Sequence, residues 1–164
     1  MKLARDLMQR NIISIDGAAS LLDAHRLFVE EEISGAPVVD EDGRVIGVLS
    51  ARDLLRALDE ERDTAVVDTH YFRDLTEFSG PDWGSMPEDF QDRMQELTAG
   101  DAMTREIVAV DPDETVYDVA RTMLDHHVHR VLVLDAGVLR GVISAFDLLR
   151  AFARLPPAEL HAGR

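Results

Sequence analysis

The sequence GVLSARDLLRA, residues 47–57, returns near the other end of the chain as GVISAFDLLRA, residues 141–151, with differences at only two positions. The agreement continues outward at offsets of 94 and then 95 residues, through the pairs Gly43 and Gly137, Asp40 and Asp135, Asp16 and Asp111, and Asp6 and Asp101. Chance similarity does not keep register over such a distance. The chain therefore contains two copies of one supersecondary unit.

Each copy predicts the element order β-α-β-β-α. Apolar residues recur at i, i+3 and i+7 in the first helix of each copy: Leu21, Ala24 and Phe28, and then Val116, Val119 and Met123. Runs rich in β-branched residues predict strands over 12–15, 36–39, 45–49, 107–110, 131–134 and 138–143. One unit of about 55 residues buries too little core to be stable alone. We therefore expect an α/β fold of two tandem repeats packed sheet to sheet.

The stretch between the copies is strongly acidic. Residues 59–96 hold 12 acidic and three basic residues, which is −9 of the net charge of −15. This shift predicts a first repeat over 1–58, an acidic insert over 59–96, a second repeat over 97–153 and a tail over 154–164. Helices are expected over 53–62 and 87–97, with a break at 79–82. The insert is either an interaction element or a solvated connector anchored by its aromatic residues, Tyr71, Phe72, Phe78, Trp83 and Phe90.

Composition excludes several classes of function. Binding to nucleic acid or to an anionic membrane needs dense positive charge, which a chain of charge −15 lacks. No apolar run approaches the roughly 20 residues of a membrane span, and residues 1–10 lack the apolar core of a secretory signal. The chain has no cysteine, so thiol nucleophiles, disulfides and thiolate metal sites are excluded. We expect a cytoplasmic protein.

Each copy carries the pattern Ser/Thr-x-x-Asp twice. Ser20 with Asp23, and Thr115 with Asp118, open the first helices and are interpreted as helix caps. The second pairs follow a strand that begins with glycine and are Ser50 with Asp53, and Ser144 with Asp147. A helix start beside such a glycine suits ligand atoms, and a carboxylate there can accept both hydroxyls of a ribose. Capping and ligand binding remain open for these second pairs.

Tandem repetition of Gly-hydrophobic-hydrophobic-Ser-x-x-Asp, preceded by Asp-x-Met and a hydrophobic strand, resembles a pair of CBS (cystathionine-beta-synthase) repeats, a Bateman module. The resemblance covers about residues 2–58 and 97–153. It implies two β-α-β-β-α units with a cleft that holds adenosine nucleotides. It also implies that Asp53 and Asp147 hold ribose, that Ser50 and Ser144 lie close to ribose or phosphate, and that apolar residues such as Ile107, Val108 and Val131 cover adenine.

The two copies differ at the residues expected to meet phosphate. His129 and Arg130 can donate to an anion, whereas their counterparts, Ser34 and Gly35, cannot. We therefore predict a stronger nucleotide site made of Asp147, Ser144, His129, Arg130, Thr104, Ile107, Val108 and Val131. The weaker site is predicted to consist of Asp53, Ser50, Ile12, Ile13 and Pro37.

Metal binding and catalysis are not expected. His126, His127 and His129 lie near one another in the sequence, but no further ligand is clustered with them. No nucleophile is paired with a base, so we predict a non-enzymatic regulatory module without a catalytic cofactor. It would bind AMP, ADP or ATP, with S-adenosylmethionine as a second ligand class, form a homodimeric disc of four repeats, and signal to an effector protein of unknown identity. The alternative is a structural or partner-binding module whose nucleotide sites are vestigial.

Overall fold

The structure is a computed structural model that describes residues 2–58, 70–73 and 88–154. In chain order the elements are α1 (Ala4–Leu7), β1 (Ile15–Asp16), α2 (Leu21–Glu30), β2 (Gly35–Val39), β3 (Val45–Ser50), α3 (Ala51–Leu58), α4 (His70–Arg73), α5 (Glu88–Glu96), α6 (Ala99–Ala102), β4 (Ala109–Val110), α7 (Val116–His126), β5 (Arg130–Asp135), β6 (Val138–Ser144) and α8 (Ala145–Ala153). The chain divides into two compact units. The first unit is Ile13–Ile107, and the second unit joins Met1–Ile12 to Val108–Arg164.

Each unit contains a three-stranded sheet with the same topology. In the first unit the order is β1-β2-β3, with β1 parallel and β3 antiparallel to the central strand. In the second unit β4, β5 and β6 repeat this arrangement. A tight turn joins the last two strands of each sheet, and Gly43 and Gly137 supply its positive φ angles of 75° and 83°. The predicted mixed α/β class and the order β-α-β-β-α are confirmed.

The predicted first strands are wrong in extent. Only Ile15–Asp16 and Ala109–Val110 pair with the central strands, whereas strands were predicted over 12–15 and 107–110. Ile12, Ile13 and Ile107 are half-buried in extended or irregular chain. Because β-branched residues favour a half-buried pleated surface in general, their presence alone does not specify a ladder of hydrogen bonds.

The core of the first unit includes the end of the acidic insert. Leu21, Ala24 and Phe28 of α2 are buried, as their spacing predicted. Met94 of α5 is fully buried in the same cluster, and Phe90 is packed against it. The predicted helix over 87–97 is thus observed as Glu88–Glu96. The predicted helix over 53–62 is observed to Leu58, and its last four residues, the break at 79–82, Phe78 and Trp83 lie outside the described residues.

A short helix completes each unit, and it comes from the segment that precedes the other repeat in the sequence. α6 packs against α3 and β3 in the first unit, and α1 packs against α8 and β6 in the second unit. The methionine that follows each helix lies against a glycine of the repeated motif. A Cβ added to Gly47 would lie 2.6 Å from Sδ of Met103, and one added to Gly141 would lie 2.6 Å from Sδ of Met8. These close approaches explain why both motifs begin with glycine.

Candidate functional site

The first Ser/Thr-x-x-Asp pairs are helix caps with exposed carboxylates. The backbone N–H of Asp23 donates to Oγ of Ser20 at 3.1 Å, and that of Asp118 donates to Oγ1 of Thr115 at 3.1 Å. The side chain of Asp23 is 66% exposed. The interpretation of these pairs as caps is confirmed, since their geometry is fully accounted for by the start of the helix.

The second pairs cap their helices with buried carboxylates. Oδ2 of Asp147 accepts hydrogen bonds from the backbone N–H and the hydroxyl of Ser144 at 2.9 and 2.7 Å. Oδ2 of Asp53 accepts the same two bonds from Ser50 at 2.8 and 2.9 Å. Only 4% of Asp53 and 8% of Asp147 is exposed. Because burying a carboxylate is costly, capping alone does not explain why these two aspartates are buried while Asp23 is exposed.

The second oxygen of each buried carboxylate faces a residue from the leading segment of the other repeat. The side-chain amide of Gln9 donates to Oδ1 of Asp147 at 3.0 Å. The hydroxyl of Thr104 lies 3.5 Å from Oδ1 of Asp53. Arg150 and Arg56 approach the same oxygens at 3.8 and 3.6 Å, which is ion-pair rather than hydrogen-bond distance. Each carboxylate therefore uses one oxygen for its own helix and presents the other to a neighbouring segment.

The predicted grouping of Thr104 with Asp147 is corrected by the structure. Thr104 forms an antiparallel bridge with Val48, with hydrogen bonds of 2.8 and 2.9 Å, and so belongs with Asp53 in the first unit. Gln9 holds the equivalent position in the second unit through a bridge with Val142. The sequence order misleads here because the segment before each repeat is a structural part of the other unit.

The apolar residues predicted to cover adenine are distributed over both units. Val108 and Val131 lie in the second unit with Asp147, whereas Ile107 lies in the first unit. Ile13 and Pro37 lie in the first unit with Asp53, whereas Ile12 lies in the second. Val131 is fully buried in the central strand, and Pro37 is also buried. Of these apolar residues, Ile12, Ile13 and Ile107 are half-buried.

Arg130 lies directly opposite Ser144 in the pairing of β5 with β6. Side chains of directly paired residues share one face of a sheet with their Cβ atoms about 5 Å apart, so Arg130 lies near the capping serine. His129 precedes Arg130 and lines a groove between α7 and α8, while its carbonyl accepts a hydrogen bond from Ala145 at 2.8 Å. Arg130 thus lies near Ser144, whereas His129 lies at the groove between α7 and α8.

In the first unit, Tyr71 of the insert lies where the second unit has an arginine. Gly35 is paired with Ser50 as Arg130 is paired with Ser144. A Cβ on Gly35 would lie 2.9 Å from Cδ2 of Tyr71 and 2.7 Å from the carbonyl oxygen of Leu49. The sequence identified Tyr71 only as an anchoring aromatic. The sequence signal for the position of Tyr71 was Gly35, the glycine that lies opposite the capping Ser50.

The groove between α7 and α8 is large and apolar. Its volume is about 920 Å³, and its lining includes four large side chains that are more than half exposed, Tyr117, Leu124, Leu149 and Phe152. Isolated apolar residues are common on protein surfaces, whereas these four line one groove.

Within residues 2–58, 70–73 and 88–154, the structure contains no helix with the length and hydrophobicity that a membrane span requires. The same ranges contain no group of three or more histidine or acidic side chains placed to hold a metal ion.

Comparison with known proteins identifies one family over both repeats. The model of the CBS domain matches residues 4–60 and 99–154. The chain is 30% identical over 152 residues to MJ1426 of Methanocaldococcus jannaschii, with 91% of this chain and 90% of that protein covered. It is also 30% identical over 151 residues to the chloroplastic CBS domain-containing protein CBSX2 of Arabidopsis thaliana, with 87% of this chain and 59% of that protein covered.

Solved structures agree with this match. The structure of CBSX2 in complex with AMP superimposes on this chain with a TM-score of 0.65 and 25% sequence identity. The alignment covers 94% of this chain and 98% of the CBSX2 chain. The CBS domain pair of protein MJ0100, in complex with 5′-methylthioadenosine and S-adenosyl-L-methionine, has a TM-score of 0.61 and covers 93% of this chain and 97% of that chain. At 21% identity, the second likeness shows the fold alone.

Proposed function

The chain belongs to the CBS domain family, and we propose that it is a non-enzymatic regulatory module that binds an adenine nucleotide at its buried capping carboxylates. The observation that supports this proposal most strongly is the contrast among its four capping aspartates. Asp53 and Asp147 are buried, whereas Asp23 and Asp118 are exposed. A ribose could donate its two hydroxyls to Oδ1 of Asp53 or Asp147, the carboxylate oxygen that the serine cap does not use.

The start of each second helix suits the rest of a nucleotide. Ser144 and Ser50 each place a hydroxyl beside the carboxylate, and the helix start adds a positive electrostatic field that favours anions. Arg130, opposite Ser144, adds a guanidinium that can bind phosphate in a bidentate manner. Its counterpart position in the first unit is Gly35 beside Tyr71. We therefore propose that Asp147 belongs to the stronger nucleotide site and Asp53 to the weaker one.

AMP is the first ligand to test. The complex of CBSX2 with AMP supports it, because CBSX2 matches this chain at 30% identity in sequence and shares its fold. ADP, ATP and S-adenosylmethionine carry the same adenosine group and would present the same ribose hydroxyls to the carboxylates. We propose that ligand binding favours one conformation of the chain, and that an effector protein binds that conformation preferentially.

We also propose that the protein forms a homodimer through the groove between α7 and α8. Four exposed apolar side chains line this groove, and the same surface of a second copy would cover them: Tyr117, Leu124, Leu149 and Phe152. In the first unit, Val29 of α2 and Leu55 of α3 are also more than half exposed. A symmetric contact that uses the same helices in both copies forms a closed dimer, which is consistent with the predicted four-repeat disc.

Thermal-shift measurements test nucleotide binding against the alternative of a structural module with vestigial sites. AMP, ADP, ATP and S-adenosylmethionine are each added at several concentrations, and a ligand that binds only the folded state raises the Tm progressively. Inorganic phosphate alone controls for a nonspecific effect of the anion. The absence of stabilisation by all four adenosine compounds would favour the structural module.

Calorimetry with AMP then tests the ranking of the two sites. We expect Asp147→Ala to weaken AMP binding more than Asp53→Ala does, because only the Asp147 site has Arg130 near the capping serine. The opposite order would overturn the ranking while leaving nucleotide binding itself intact.

A further inference from the structure

We propose that Gln9 acts as an internal competitor of the nucleotide at Asp147. Its side-chain amide donates to the carboxylate oxygen that a ribose would use, so a ribose can donate both of its hydroxyls to that oxygen only after the amide has moved away. This inference rests on the proposed binding of nucleotide at Asp147. It assigns to Gln9 a role in setting the affinity of that site.

The helix cap uses one carboxylate oxygen of Asp147, so a ribose would have to bind the other one. Oδ2 already accepts both the backbone N–H and the hydroxyl of Ser144, which together start α8. Oδ1 accepts the amide of Gln9 at 3.0 Å. When a ribose approaches, one carboxylate oxygen of Asp147 therefore already accepts the hydrogen bonds of the helix cap, and the other accepts the hydrogen bond of Gln9.

The backbone at Gln9 is held in place, while its side chain is at the surface. Its N–H donates to the carbonyl of Val142 at 2.9 Å, and its carbonyl accepts from the N–H of Val142 at 3.1 Å. The residue as a whole is exposed. A change of side-chain rotamer is thus sufficient to move the amide into water, and the main chain need not shift. Such rotamer changes are fast, so the competition affects affinity and does not block entry.

The first unit provides a natural comparison. Thr104 has the same backbone bridge as Gln9, but its shorter side chain places the hydroxyl 3.5 Å from Oδ1 of Asp53, at the limit of a hydrogen bond. A hydroxyl can also accept a hydrogen bond from a ribose, which the amide nitrogen of Gln9 cannot. Competition of the kind proposed for Gln9 is therefore weaker at Asp53.

The cost of displacing Gln9 is the same for a nucleoside and a nucleotide, because both present the same ribose hydroxyls. A nucleotide gains the additional contacts of Arg130 and the start of α8, which offset that cost. Gln9 therefore lowers the affinity of both ligands, whereas the phosphate contacts set the preference between them.

The test replaces Gln9 by the residue found at the equivalent position. Calorimetry is performed with AMP and with adenosine on Gln9→Thr, in an Asp53→Ala background that removes the first carboxylate. We expect both ligands to bind about three- to tenfold more tightly to the Gln9→Thr/Asp53→Ala protein than to the Asp53→Ala protein. This factor corresponds to the loss of one exposed hydrogen bond to a carboxylate. If Asp53→Ala does not fold, Asp53→Asn keeps an acceptor for the Ser50 N–H and serves as the background.

Two further measurements separate this role from a structural one. The reciprocal variant Thr104→Gln, in an Asp147→Ala background, is expected to weaken AMP binding at the first carboxylate. The side-chain amide resonances of Gln9, assigned by their loss in Gln9→Thr, are expected to shift when AMP is added. Equal or weaker AMP binding by Gln9→Thr would overturn the inference. AMP binding by none of the proteins, the wild type included, would instead overturn the proposed function.

Discussion

The side-chain amide of Gln9 donates a hydrogen bond to Oδ1 of Asp147 at 3.0 Å, and its counterpart Thr104 lies 3.5 Å from Oδ1 of Asp53. Both residues follow a methionine that packs on a motif glycine, and both are held by a backbone bridge to the strand before the capping serine. Each candidate nucleotide site is thus completed by a segment that lies far away in sequence. Changes in these two segments can alter ligand affinity without touching the repeated motif.

Replacing Ser144 by alanine should affect both stability and ligand affinity. The loss of an N-cap side chain costs about 1 kcal/mol in the free energy of unfolding. The loss of the hydroxyl also removes a hydrogen-bond partner of Asp147 Oδ2, beside the proposed position of the ribose. We expect a lower denaturation midpoint together with weaker AMP binding in calorimetry.

Thr115→Ala is the matched control for this change, because Thr115 caps α7 through the same pattern. It should cost a similar amount of stability and leave AMP affinity unchanged once the fraction of folded protein is taken into account. Equal loss of affinity in the two variants would show that Ser144 acts only through the stability of its helix.

Replacing Arg130 by glutamine should reduce the preference for phosphate. The guanidinium can bind the phosphate of AMP but has no such partner in adenosine. We expect the ratio of AMP affinity to adenosine affinity to fall by about tenfold or more, since a charged hydrogen bond contributes roughly 1.5–3 kcal/mol. Calorimetry with both ligands measures this ratio. A similar loss for both ligands would mean that Arg130 supports the fold of the site and does not bind phosphate.

Replacing Phe152 by aspartate should dissociate the proposed dimer. The change places a charge in the apolar groove between α7 and α8, where a second copy would have to bury it. Light scattering coupled to size-exclusion chromatography should find a dimer for the wild type and a monomer for Phe152→Asp. Phe146→Asp is the control, because Phe146 is exposed on the same helix but does not line the groove. A monomeric wild type would contradict the proposed interface.

The cap of α6 should weaken in acid. The backbone N–H of Thr98, and then its hydroxyl, stabilise the charged carboxyl of Asp101 and lower its pKa from the ordinary value of 3.8. A lowered folded-state pKa means that the stabilisation is complete above 3.8 and is lost as the pH falls through the folded-state value. The Tm difference between wild type and Asp101→Ala should therefore be largest near neutral pH and narrow in acid.

Glu106→Ala serves as the control for the general effect of removing an exposed acidic residue from the same part of the chain. A Tm difference for Asp101→Ala that stayed constant through the acidic range would be inconsistent with a role of the Asp101 charge in the cap.

Much of the fold follows directly from local patterns. The periodic spacing of Leu21, Ala24 and Phe28 predicted α2, and Gly43 and Gly137 predicted the turns, because helix faces and positive φ angles depend on few neighbouring residues. The repeated motif also predicted the capping serines, since a capping box needs only residues three apart. These features are encoded within a single turn or strand.

Other features of the candidate site depend on contacts between distant segments. Thr104 was predicted beside Asp147 because it opens the second repeat in sequence, whereas its bridge to Val48 places it beside Asp53. Tyr71 of the insert lies next to Gly35 of the central strand in the first unit. No local periodicity reports such pairings, so the sequence placed Thr104 with Asp147 and identified Tyr71 only as an aromatic residue of the insert.

The most direct test of nucleotide binding at the buried carboxylates compares two double variants by calorimetry with AMP. Asp53→Ala/Asp147→Ala removes both buried carboxylates, whereas Asp23→Ala/Asp118→Ala removes the two exposed carboxylates at the same position of a capped helix. Circular dichroism checks that both proteins are folded. We expect that the first double variant no longer binds AMP, while the second binds it like the wild type. AMP binding that survives in Asp53→Ala/Asp147→Ala would contradict this expectation.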